Sequence, residues 1–182
     1  MNHIFLTGEI QVGKTTIINK ICSKYGSAAQ GFKTIAVNAG DATLDSDEEY
    51  LFIIPFYINS PAYMDKPFAV RNRKKRKKTG YPEVFNEQGV AIIKDATENA
   101  ETKLIIMDEL GFFENEASIF QTEVMNCLAS DIPVLGVIKP MSTEFLDKIR
   151  ALPNITIIEV TVDNREKICA LLQDVFDENL SV

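Results

Sequence analysis

Residues 8–16 read Gly8-Glu9-Ile10-Gln11-Val12-Gly13-Lys14-Thr15-Thr16, and this stretch decides the fold. Its spacing is G-x-x-x-x-G-K-[ST], a pattern that carries meaning only between a strand and a helix. Both flanks fit. The apolar run at residues 3–7 reads as a buried strand. Residues 14–25 place Ile17, Ile18, Ile21, Cys22 and Tyr25 on one stripe, which predicts a helix. Glycines at positions 8 and 13 permit a tight turn whose backbone N–H groups point inward. Together with the helix N-terminus they form a nest for an anion. Residues 8–16 are therefore the candidate nucleotide-phosphate cradle. Lys14 reaches toward β- and γ-phosphates, and the Thr15 hydroxyl is a candidate Mg2+ ligand.

Working outward, such a site needs an acid at the end of a second buried strand. Lys103-Leu104-Ile105-Ile106-Met107-Asp108 supplies it, because ligands in open α/β sheets gather at the carboxyl ends of the strands. Asp108 is the candidate for holding Mg2+. Glu109 follows, and at the strand's end it can turn toward the γ-phosphate and polarise a water. Lys14 and Glu109 are thus the candidate catalytic residues. Beyond them, Gly111 lets the chain leave the sheet closely. Glu114 reads either as support for the metal or as an acid at a helix start.

Strand and helix patterns alternate through the chain. Strands are expected at residues 31–38, 50–58, 103–108, 133–138 and 155–160. Helices are expected at 85–99, 116–129, 142–152 and 164–176, with a frayed tail after them. This alternation predicts an α/β fold with a mostly parallel central sheet and helices on both faces. Between residues 39 and 82 the pattern changes to an inserted hairpin and basic loop. Asp41, Asp45, Asp47, Glu48 and Glu49 crowd a turn that reads as solvated, and Pro61, Pro67 and Pro82 mark 59–82 as loop or lid.

The chain has 182 residues, 46% of them hydrophobic and 25% charged, which suits one globular domain spanning 1–182. Disorder, collagen and a disulfide scaffold are excluded. No apolar run approaches the ~18–20 residues of a membrane span. The first residues lack the pattern of a signal peptide, and the three cysteines have no paired spacing; both point to a cytoplasmic protein. Cys22, Cys127 and Cys169 fall on helices, so zinc is not indicated. The single histidine, His3, reads as a strand-end residue.

Net charge is −7, but residues 71–78 carry seven cations in eight positions. Removing those seven leaves 12 basic against 26 acidic residues, a net of −14. An acidic globule disfavours nucleic-acid binding by the surface at large. No aromatic residue lies within 71–78, so base stacking is unsupported there, although phosphate contacts need none.

Residues 8–16 with Asp108-Glu109-Leu110-Gly111 resemble the small P-loop nucleoside-triphosphatases first described from hyperthermophiles. Gly31-Phe32-Lys33-Thr34, the spacing of Glu114, Ser118 and Phe120, and Thr161-Val162-Asp163-Asn164-Arg165 agree with that family's pattern. The resemblance implies a P-loop fold and Mg2+-dependent hydrolysis of several nucleoside triphosphates. The family shows an acidic residue and an arginine after its Gly-Phe-x-Thr strand, where this chain has Ile35-Ala36-Val37-Asn38.

Phosphoryl transfer needs cations beyond Lys14 and Mg2+. The candidates are Lys139, after the strand at 133–138, Arg165 at the start of the last helix, and the 71–78 run as a lid. ATP and GTP both stand as substrates, because the Asn-Lys-x-Asp reader of guanine is absent. Two alternatives accompany the hydrolase reading. One is a P-loop kinase using 59–82 as its lid. The other is a nucleotide-dependent switch contacting a polyanion through 71–78. The sequence says nothing of oligomeric state.

Overall fold

Ile105, Ile106 and Met107 are all fully buried, because strand β6 (Leu104–Leu110) lies inside a sheet covered on both faces. The computed structural model describes residues 3–38, 47–57 and 61–180. The other strands are β1 (His3–Thr7), β2 (Ala29–Asn38), β3 (Glu48–Pro55), β4 (Ala69–Asn72), β5 (Lys77–Gly80), β7 (Val134–Ile138) and β8 (Ile155–Glu159). All eight form one sheet in the order β5-β4-β3-β2-β6-β7-β1-β8. From β2 to β8 every pairing is parallel, and β3, β4 and β5 extend the sheet antiparallel from the β2 side.

Period-2 alternation sends successive residues to opposite faces. Ile4, Leu6, Leu104, Ile106, Leu135 and Val137 pack against α1 (Lys14–Tyr25) and α6 (Arg165–Leu180). Phe5, Ile105, Met107 and Ile138 pack against α3 (Val90–Glu98), α4 (Ser118–Leu128) and α5 (Glu144–Arg150). Cys22, Cys127 and Cys169 are buried free thiols, as their helix stripes imply.

Several expectations need correction. The helix placed at 85–99 begins earlier. It runs as α2 (Pro82–Val84), a π-turn (Phe85–Gly89) and then α3. Within the π-turn two amide side chains bridge to neighbouring elements. The Asn86 oxygen accepts from the N–H groups of Ile119 and Phe120, and Gln88 donates to the carbonyls of Ile53 and Tyr63. The last helix runs on to Leu180, past the point where a frayed tail was expected.

Within 59–82 the chain forms a 3-10 turn (Pro61–Met64) and the β4–β5 hairpin, so the basic run is an edge of the sheet rather than a lid. Its strands β4 and β5 lie five and six strand positions from β1, roughly 24–29 Å at normal strand spacing. The acidic turn is not wholly solvated either. Asp41 and Asp45 fall outside the described residues, but Glu49 is only 5% exposed and pairs with both Arg71 and Arg73, while Lys74 pairs with Asp47. Among the described residues, two acids of the turn thus pair with three cations of the run. The edge strand β5 presents exposed lysines 77 and 78, which discourages pairing with a further strand.

His3 is fully buried. Its Nδ1 accepts from the Val134 N–H at 3.1 Å, so its Nε2 carries the proton and meets the Leu128 carbonyl at 3.0 Å. Burial holds the ring's pKa below its ordinary value. This histidine is a structural tie between β1 and the α4–β7 connection.

Candidate active site

The turn after β1 takes left-handed backbone at Gly8 (φ 125°), Gln11 (φ 67°) and Gly13 (φ 109°). A Cβ at Gly8 would lie 2.3 Å from the Val160 carbonyl oxygen, so the loop closes against the end of β8 only because residue 8 has no side chain. Val12 is buried beneath the loop, and Ile10 points out at 87% exposure. The Lys14 ammonium donates to the carbonyls of Gly8 (2.9 Å) and Glu9 (2.5 Å), folding back over its own loop.

β7 lies between β1 and β6, so the loop and Asp108 stand two strands apart at the same edge of the sheet. Asp108 is 7% exposed. Burial, and then the neighbouring Glu109 charge, push its carboxyl up to about 6; a hydrogen bond from the Thr15 hydroxyl and the charges of Lys14 and Lys33 oppose this. Lys14 is held below its ordinary range by burial, against the pull of Glu109 and Asp108.

Glu109 owes its position to a β-bulge. Met107 pairs with Gly136 and Leu110 with Ile138, so β6 carries one extra residue against β7. Leu110, not Glu109, therefore takes the next inward place in the core, and Glu109 is pushed to the rim with φ 89°. Such backbone is costly for a non-glycine residue and collects at functional sites. The Glu109 carboxylate pairs with the Lys139 ammonium. Glu114 is 3% exposed and accepts the Gly111 N–H at 3.0 Å; burial pushes its carboxyl up to about 7.

Among the sequence-derived candidates, Lys14, Thr15, Asp108, Glu109 and Lys139 converge on one edge. Arg165 also comes close: its Cδ lies 3.4 Å from where a Gly13 Cβ would stand, so its stem rests on the loop. The 71–78 run does not join them. One residue was given no role of its own from the sequence. Lys33 is the register partner of Asp108 across β2 and β6, and its ammonium lies 5.8 Å from the centre of the Phe56 ring. No local signal marks it, because its partner is far along the chain.

The sequence model of a family described as NTPase matches residues 3–173. The chain belongs to this NTPase family. A nucleoside-triphosphatase THEP1 from Aquifex aeolicus is 31% identical over 181 residues, spanning 94% of this chain and 96% of the relative. One from Methanocaldococcus jannaschii is 30% identical over 176 residues, spanning 91% of each. In three dimensions the chain is similar to the crystal structure of THEP1 from Aquifex aeolicus, with TM-score 0.70, 26% identity and coverage of 96% and 98%. It shares its fold, at TM-score 0.69 and 19% identity, with a human cancer-related nucleoside triphosphatase, over 98% of each chain. Among the described residues no helix is long and apolar enough to cross a membrane, and no group of three or more His, Cys, Asp or Glu gathers to cage a metal.

Proposed function

We propose that the chain binds a nucleoside triphosphate, ATP or GTP, with Mg2+ and hydrolyses it to the diphosphate and phosphate, Glu109 taking the proton of the attacking water. Membership of the NTPase family supports hydrolysis of nucleoside triphosphates in general. The observation that carries the finer reading is the bulge that turns Glu109 out of the core to the rim beside Asp108.

The residues fit Mg2+. Asp108 is a buried carboxylate whose charged form is disfavoured by burial and by the neighbouring Glu109, so a cation beside it would be stabilising, and the Thr15 hydroxyl stands close to it. Mg2+ favours one or two protein oxygens and takes its remaining ligands from water and substrate phosphates. Thr15 and Asp108 would hold it, and when bound it would neutralise phosphate charge. The backbone amides of residues 8–16 wrap the phosphates. Lys14 exchanges two carbonyl partners for phosphate oxygens, a stronger charge-assisted pairing. Glu109 stands at the partly exposed rim, where water has access, and orients one molecule for attack on the γ-phosphorus.

Phosphate release from ATP, GTP, CTP and UTP, with and without Mg2+, tests the reading. Glu109→Gln should bind nucleotide normally and turn over about 10²–10⁴-fold more slowly. Phosphate that appears only in a new organic product would point to a kinase instead.

A further inference from the structure

Lys139 follows the last residue of β7, the strand that separates β1 with its phosphate loop from β6 with its acid pair. Its main chain is held on both sides. The Lys139 N–H donates to the Leu110 carbonyl at 2.9 Å, and the Arg150 guanidinium donates to the Lys139 carbonyl at 2.6 Å. Its side chain folds across Gly111: a Cβ there would lie 2.8 Å from the Lys139 Cδ. The ammonium ends on the Glu109 carboxylate, and the Lys139 side chain as a whole remains 36% exposed. It is also close enough to Lys14 for the two charges to oppose each other. Lys14 and Lys139 thus bring two cations to the edge that carries the phosphate loop, where positive potential favours an anionic substrate.

Resting on the hydrolase reading above, we propose that Lys139 is a further catalytic residue, which leaves Glu109 for the γ-phosphate when a triphosphate binds. The exchange does two things. It places a cation where negative charge gathers as the γ-phosphoryl group is transferred. It also frees the Glu109 carboxylate to accept a proton. The water oxygen then bonds to the γ-phosphorus and the bond to the β-bridging oxygen breaks. Its electron pair stays on the departing diphosphate, and the water proton passes to Glu109. Until a γ-phosphate arrives, the ion pair keeps Glu109 occupied.

The test is kinetics and calorimetry on wild type, Lys139→Ala and Lys139→Arg. Lys139→Ala should lower kcat for ATP by about 10²–10³-fold, as loss of one charge-stabilising donor does. It should weaken binding of a β,γ-imido triphosphate roughly tenfold while leaving ADP affinity near wild type. Lys139→Arg should recover much of both losses. A kcat within about threefold of wild type, or equal weakening of triphosphate and diphosphate, would overturn the assignment. If the wild-type chain releases no phosphate, the hydrolase reading fails by itself. The triphosphate-to-diphosphate affinity ratio then decides the role of Lys139: a ratio unchanged in Lys139→Ala rules it out, and a reduced ratio supports it.

Discussion

The Thr15 hydroxyl stands close enough to the Asp108 carboxylate to favour its charged form, linking the first turn of α1 to the end of β6 across two strand positions. Asp108→Asn keeps the shape of this contact and removes the charge. The Mg2+ concentration for half-maximal phosphate release should rise by about 10–100-fold, with little change in Mg2+-free nucleotide affinity. A Mg2+ titration of the variant checks this, and an unshifted midpoint would remove Asp108 from the metal site.

Gly31 separates backbone tolerance from side-chain space. It sits buried on β2 at φ 115°, and a Cβ there would lie 2.2 Å from the Ile106 carbonyl oxygen. Gly31→Ala should cost about 2–4 kcal/mol, a fall in Tm of roughly 5–15 °C at this size. Gly26, which caps α1 at φ 55° with nothing within 4 Å, has only the backbone cost. Gly26→Ala should lose about 1 kcal/mol. Thermal unfolding of the two variants distinguishes them.

Glu49 ties the hairpins together. Burial disfavours its charge, but hydrogen bonds and charge from Arg71 and Arg73 outweigh it and hold the carboxyl below its ordinary range. A depressed carboxyl stabilises the fold above the unfolded-state pKa, and that contribution disappears as pH falls through the folded value. Glu49→Gln should cost about 1–2 kcal/mol at pH 7, and the gap to wild type should close below the ordinary carboxylate range. Denaturant unfolding at pH 7 and pH 3 measures it.

Glu114 has the opposite sign. Its folded carboxyl titrates at about 7, mainly through burial, while the unfolded chain loses that proton near 4.5. Stability is therefore fullest below the unfolded value, declines between the two, and levels off above the folded one. Glu114→Gln keeps an oxygen for the Gly111 N–H and removes the titration. Between pH 5 and 8 the variant should gain on wild type by up to about 3 kcal/mol. A constant difference across that range would refute a raised carboxyl.

Much of the candidate site was legible in residues 8–16 and 103–109, because the glycine turn and the acidic strand end are each built from neighbours in the chain. Lys33 was not, because nothing near it announces a partner at position 108. Glu49 read as part of a solvated turn, because five acids in a short stretch look hydrated until Arg71 and Arg73 are brought alongside. His3 read as a strand end, since its two hydrogen bonds reach to residues 128 and 134.

The sequence by itself determined what local spacing controls: the glycine turn between strand and helix, the apolar stripe of α1, the buried β6 and the placing of Asp108 and Glu109 at its end. Those features depend on steric limits and periodicity within a few residues. Tertiary structure alone decided that β7 lies between β1 and β6, that Lys33 stands opposite Asp108, and that an extra residue in β6 turns Glu109 to the rim. Each is a matter of which distant segments pair and in what register. Packing of the two faces settles that choice, and no single segment carries it.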